Sequence, residues 1–234
     1  MNYTEYVKCL KEFQKLLEKV ELKYIDLASA ISTIQTHKDL KYEITPIRIE
    51  LNGKFPKRLS HANVKVLELE FDLNLHGAFQ NAIDGRDPFT SYGLNIVIFG
   101  LSESSKNILV NAMHLDRHDG TQSNTVHPYY HFQFGGNRLK DNVQEYGQVL
   151  ILDSPRIMYH PMDFILTIDF IVSNFLPETW EKLKKESMYI SVLEKVQKLF
   201  VAPYFRSLVN FFDNAPNQWK HDELYPQLVG KCDR

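Results

Sequence analysis

Between residues 3 and 36 the chain carries no Gly or Pro, and its large hydrophobes fall three or four positions apart: Tyr3, Tyr6, Leu10, Phe13, Leu17, Val20, Tyr24, Leu27, Ile31 and Ile34. A strand repeats every two residues, so this period predicts a helix over 1–37, either continuous or broken near its middle. Strict heptad spacing also describes a coiled coil. Here, however, Val7, Cys9, Leu16, Ala28 and Ala30 widen the stripe beyond a two-helix seam. A stripe of that width fits a helix buried by several neighbours. Lys8, Lys11, Glu12 and Lys15 keep the first half solvated, whereas Leu22 and Ile25 make the second half apolar on nearly every side. The expectation is that the second half enters the core and the first lies on the surface. The same stripe, 3–34, is the expected seat of a protein partner or of a homo-oligomer contact.

After this the period changes to two. The segment 42–52 reads as a strand with Ile47, Ile49 and Leu51 on one face, closed by Asn52-Gly53. Over 64–76, Leu67, Leu69, Phe71, Leu73 and Leu75 alternate with Glu68, Glu70, Asp72, Asn74 and His76, which predicts one core face and one wet face. Residues 77–92 read as a long connection, and further strands are expected at 94–100, 107–116, 127–134 and 147–152. From Asp163 the period turns helical through Phe164, Ile165, Ile168, Ile171, Val172 and Phe175, stopping at Pro177. Two more helices are expected at 178–186 and 188–213, with Pro203 kinking or dividing the second. The fold expected is α+β in one domain, 1–234. A long N-terminal helix (1–37) leads into an antiparallel sheet of about five to six strands (42–152). A helical layer (160–213) then packs on that sheet.

Composition narrows the function more than the fold. Hydrophobic residues at 44% and charged residues at 24% exclude a disordered or fibrous chain. A net charge of −2 supplies no global field toward nucleic acid or anionic membrane, so nucleic-acid binding is not indicated. Cys9 and Cys232 form no disulfide framework, no apolar run is long enough to span a bilayer, and residues 1–20 lack the apolar centre of a secretory signal. The expected location is the cytoplasm.

The densest reactive group is Met113-His114-Leu115-Asp116-Arg117-His118-Asp119, followed by His127-Pro128-Tyr129-Tyr130-His131-Phe132-Gln133. On the first strand His114 and Asp116 share a face; on the second Tyr129, His131 and Gln133 do. A symmetric loop would set His114 opposite His131 and Asp116 opposite Tyr129, with Cβ atoms roughly 4.5–5.5 Å apart. His114, Asp116 and His131 then make a legitimate ligand set for a divalent ion such as Zn or Mn. His118 and His127 stand ready as acid or base, and Arg156, at a strand-to-helix junction, as an anion clamp. The same spacing also fits a scaffold or recognition surface: Ile108, Val110 and Ala112 share the face of His114, and no closed metal motif is present. Gly135-Gly136-Asn137-Arg138 reads as a sharp turn or a weak anion loop, and Asp163 as a helix start.

In order along 108–176 stand Leu115-Asp116-Arg117, His127-Pro128-x-x-His131, Gly135-Gly136, Pro155-Arg156 and Pro161-x-Asp163 before an apolar helix. This order resembles a family of uncharacterised bacterial domains that occur among mobile-element, toxin–antitoxin-like and anti-phage genes. The resemblance implies a bacterial defence setting and draws the His127–His131 hairpin and Arg156 into one site, without supplying a reaction. Two functions are therefore expected. One is a non-enzymatic interaction component of a defence or toxin-regulating module. The other is a metal-dependent hydrolase, a phosphodiesterase or nuclease, built on the His/Asp hairpin.

Overall fold

The computed structural model describes residues 1–20, 22, 25–51, 64–102, 107–118, 126–135, 155–213, 215, 219 and 224. Helix α1 (Tyr3–Glu18) opens with a reciprocal cap: Asn2 Oδ1 accepts from the Glu5 amide (3.0 Å) and Glu5 Oε2 from the Asn2 amide (2.9 Å). Of the two forms expected over 1–37 the helix takes the broken one, and α2 starts afresh at Ala28–His37. The cause is a side chain that periodicity cannot see. The Gln14 amide donates to Ile25 O (2.7 Å) and accepts from Leu27 N (3.0 Å), satisfying the connecting backbone outside any helix. The burial expectation holds for Leu22 and Ile25, which are buried, but the first half does not lie on the surface. Tyr6, Val7, Cys9, Leu10, Phe13, Leu16 and Leu17 of α1 are buried, but only Ala30 and Ile34 of α2.

The sheet is a six-stranded antiparallel meander in which each strand lies beside its neighbours in sequence. Its members are β1 (Leu40–Glu50), β2 (Val64–Gly77), β3 (Phe89–Ser102), β4 (Asn107–Arg117), β5 (Tyr130–Phe134) and β6 (Ile157–Met158). Pro46 sits in edge strand β1 at a register shift between Ile44 and Ile47, where a missing N–H is tolerated. The alternation expected in β2 is borne out, with Leu67, Leu69, Phe71, Leu73 and Leu75 all buried. The connection expected at 77–92 instead carries the end of β2, a short helix α3 (Phe79–Ile83) and the start of β3. Gly77 permits this turn: a Cβ there would lie 2.9 Å from Phe89 Cα and overlap the Pro88 carbonyl. The strand expected at 147–152 lies outside the described residues, as do Asn52-Gly53, Asp119, Gly136, Asn137, Arg138 and Cys232.

Helices from both ends of the chain cover one face of the sheet. After β6 come α4 (Phe164–Phe175), α5 (Pro177–Leu183), α6 (Ser187–Val196), a π-helical turn (Gln197–Val201) and α7 (Ala202–Asp213), with Pro203 in the first turn of α7. Phe13 of α1 stacks on Tyr189 of α6 (5.9 Å) and meets Phe164 edge-on (6.2 Å), while Phe132 of β5 packs on Phe170 of α4 (5.4 Å). Asp163 caps α4 by accepting from Leu166 N (2.9 Å) and also accepts a hydrogen bond from the Tyr6 hydroxyl (2.7 Å). The Tyr42 hydroxyl in turn lies 2.8 Å from that of Tyr6 and accepts from Phe164 N (3.1 Å). This buried chain of hydrogen bonds ties α1, β1 and α4 together, and burial pushes the Asp163 carboxyl up to about 6. Among the described residues no helix is long and apolar enough to cross a membrane.

Candidate metal centre

The face of the sheet away from the helices carries the histidines. Strand alternation sends Met113 and Leu115 of β4 into the core, both buried, and turns Ala112, His114 and Asp116 outward. On β5 the same rule buries Tyr130 and Phe132 beneath the helices and turns His131 and Gln133 outward. The register differs from the symmetric hairpin: Asp116 opposes His131, and His114 opposes Gln133. The ladder continues past Arg117 through a His118 N–H donated to Tyr129 O (2.7 Å), which shifts the pairing by two residues. A shift of two preserves every face, so the expected trio still converges. One ligand atom from each of His114, Asp116 and His131 lies within 4.8 Å of the others, and His114 Nε2 is 3.3 Å from Asp116 Oδ2.

His131 is prepared for the role. Its Nδ1 lies 3.1 Å from Pro128 O, a carbonyl that can only accept, so Nδ1 carries the proton and the Nε2 lone pair is free for the site. Metal-bound histidines are held in this way, by donation of the other ring N–H to a carbonyl. Burial, His127, Arg156 and His114 together depress His131 to about 4, against the Pro128 hydrogen bond, so the ring is neutral at pH 7. Burial raises the Asp116 carboxyl, and His114 offsets part of that rise.

The other expected residues border the trio. His118 and His127 stack at 4.1 Å, and His127 meets His131 edge-on at 4.5 Å. His114 and His131 lie 6.4 Å apart at 80°, which completes a row of four imidazoles. Strand β6 pairs His131 with Met158 and Phe132 with Ile157, and one further step of this register sets Arg156 beside Gln133. Arg117 points to the helical side instead. It pairs with Asp87 (2.9 Å) and stacks on Tyr129 (4.4 Å), and so braces the hairpin from behind. Asp163 and Asp169 also lie elsewhere; Asp169 accepts from the Tyr189 hydroxyl.

Sequence assigned no role to three neighbours, although it placed Gln133 on the face of His131. Gln133 is buried and forms the fourth corner of the square made with His114, Asp116 and His131. Asn95 opposes His114 from β3 and donates to Asp72 (2.7 Å), extending the polar row across the sheet. Gly93 opposes Asp116, where even a Cβ would stop 3.8 Å short of Asp116 Oδ1, leaving space beside the carboxylate. The polar position of Asn95 between Leu94 and Ile96 was a readable signal. Its place beside His114 needed the register. Two imidazoles and one carboxylate on one face suit Zn or Mn and leave coordination positions open for water or substrate. No family model, curated protein or solved structure matches the chain.

Proposed function

We propose that this protein is a metal-dependent hydrolase of phosphoester bonds. The observation that carries the reading is the convergence of His114, Asp116 and His131, with His131 locked in the ligating tautomer. In this reading the ion supplies Lewis acidity and lowers the pKa of water. His127, in contact with His131, and His118, stacked on it, serve as base toward the attacking water and acid toward the leaving oxygen. Arg156 stands where its charge already reaches His131, and would neutralise a phosphoryl oxygen. A cytoplasmic location and a place in a bacterial defence module belong to the same proposal.

Elemental analysis of protein purified without affinity-metal resin, beside His114→Ala/His131→Ala, tests it. Near-stoichiometric metal in the natural chain, lost in the variant together with phosphodiester hydrolysis, is the expected result. A natural chain without metal, hydrolysing nothing when Zn or Mn is added, would sink the proposal.

A second reading, a non-enzymatic interaction component, draws support from a different surface than expected. The 3–34 stripe is spent on the chain's own core, with Tyr6, Leu10, Phe13 and Leu17 all at 0% exposure. On α7, by contrast, Phe205, Val209 and Phe212 are exposed along one face at 50%, 55% and 68%. Sedimentation of Phe205→Glu/Phe212→Glu against the natural chain separates the two: a self-associating chain that the variant makes monomeric favours this reading.

A further inference from the structure

A cavity of about 510 Å³ opens where the start of α1, the end of α3 and the π-helical turn meet, on the helical side of the sheet and so away from the histidines. Cys9, Ala82 and Leu199 form a buried apolar floor, and Ile83, 51% exposed, continues that surface at the mouth. Three ammonium groups line it: Lys8 from α1, Lys195 from α6 and Lys198 from the π turn. Volume, apolar floor and a few charged groups match the ordinary form of a small-molecule site.

The charges are not equivalent. Lys8 lies 3.9 Å from Glu12 and Lys198 2.7 Å from Glu194, whereas Lys195 makes no ion pair among the described residues. Lys195 is exposed at the rim, within electrostatic reach of the Cys9 thiol on the floor. The one carboxylate lining the cavity, Glu5, is engaged in the α1 cap. The π-helical turn is a second, independent sign. This geometry is rare and often marks functional sites. Here two residues of the turn, Lys198 and Leu199, line the cavity.

We propose that this cavity binds an amphiphilic anion. The anionic head sits on Lys195, flanked by Lys8 and Lys198, and a medium-length apolar tail covers Cys9, Leu199 and Ile83. Ammonium groups are point charges without the planar fork of arginine, so a carboxylate and a phosphate ester serve alike as head.

Calorimetric titration of the full chain with decanoate, decyl phosphate, decyltrimethylammonium and acetate tests this. One decanoate or decyl phosphate per chain is expected, the tighter of the two identifying the head group, with no binding of the cation or of acetate. Lys195→Gln, a surface change, weakens binding at least tenfold, Ile83→Glu weakens it, and Leu199→Trp fills the cavity and abolishes it. No saturable decanoate or decyl phosphate binding, equal binding of decyltrimethylammonium, or affinity indifferent to both Lys195→Gln and Ile83→Glu would overturn the proposal.

Discussion

The two faces of this sheet are made by alternate residues of the same strands, yet they follow opposite rules. On the helical side Leu69, Phe71, Leu73 and Leu75 of β2 are 0–1% exposed and share one buried cluster with aromatic rings from α1, α4 and α6. On the other side β2 shows Glu68, Glu70 and Asp72, half-buried and charged, and among the described residues that face buries polar groups only on β5, His131 and Gln133. Water hydrates Glu70 at no cost, but a buried imidazole or amide must have a partner. A polar group kept under cover on an otherwise wet face therefore marks where the surface does something besides dissolve.

The contrast can be broken in order of size. Phe71→Ala opens a cavity under the helices and should cost about 3–5 kcal/mol, read by urea unfolding. A loss below 1 kcal/mol would mean the helical layer is loosely seated. Asp163 makes the next test, because its carboxyl is raised in the fold to about 6. Its protonated form is favoured by folding, so its contribution is full below about 4, the unfolded value, and is lost as pH rises through 6. A displacement of that size is worth about 3 kcal/mol. The stability difference between the natural chain and Asp163→Asn should therefore shift by that order, against the natural chain, from pH 4 to pH 7. Identical pH profiles would remove Asp163 as the cause.

On the outer face the effects pass from stability to chemistry. If the proposed hydrolase reading holds and Gln133 donates one hydrogen bond to substrate, Gln133→Ala should leave metal content unchanged and lower kcat about tenfold (~1.4 kcal/mol). Loss of metal would instead make Gln133 a ligand. Smallest of all, Glu70→Gln breaks an exposed pair with Arg48 (2.7 Å) and should move stability by less than about 0.5 kcal/mol. A larger change would mean that the acidic side of this face is as organised as the histidine side.

These faces were legible because alternation is a local property. The core of β2, the helical stretch after Asp163 and the shared face of His114 and Asp116 all follow from period alone. What failed or was left open depended on groups distant in sequence. The break after α1 rests on the Gln14 side chain reaching Ile25 and Leu27, and helix α3 on Gly77 passing close to Pro88 and Phe89. The hairpin register missed by two because loop closure, not side-chain pattern, sets it. The candidate site survived that error for a geometric reason: an even slip exchanges neighbours along a face without exchanging faces.

The seating of α1 has a consequence for how the chain comes into being. Its apolar side is covered by Phe164, Tyr189 and Phe200, which lie far downstream in sequence. Translation at about 5–20 residues per second leaves that helix without its cover for on the order of ten seconds. Helix α1 is therefore made well before the helices that bury it, so the nascent chain presents a greasy segment to chaperones until Phe164, Tyr189 and Phe200 have followed.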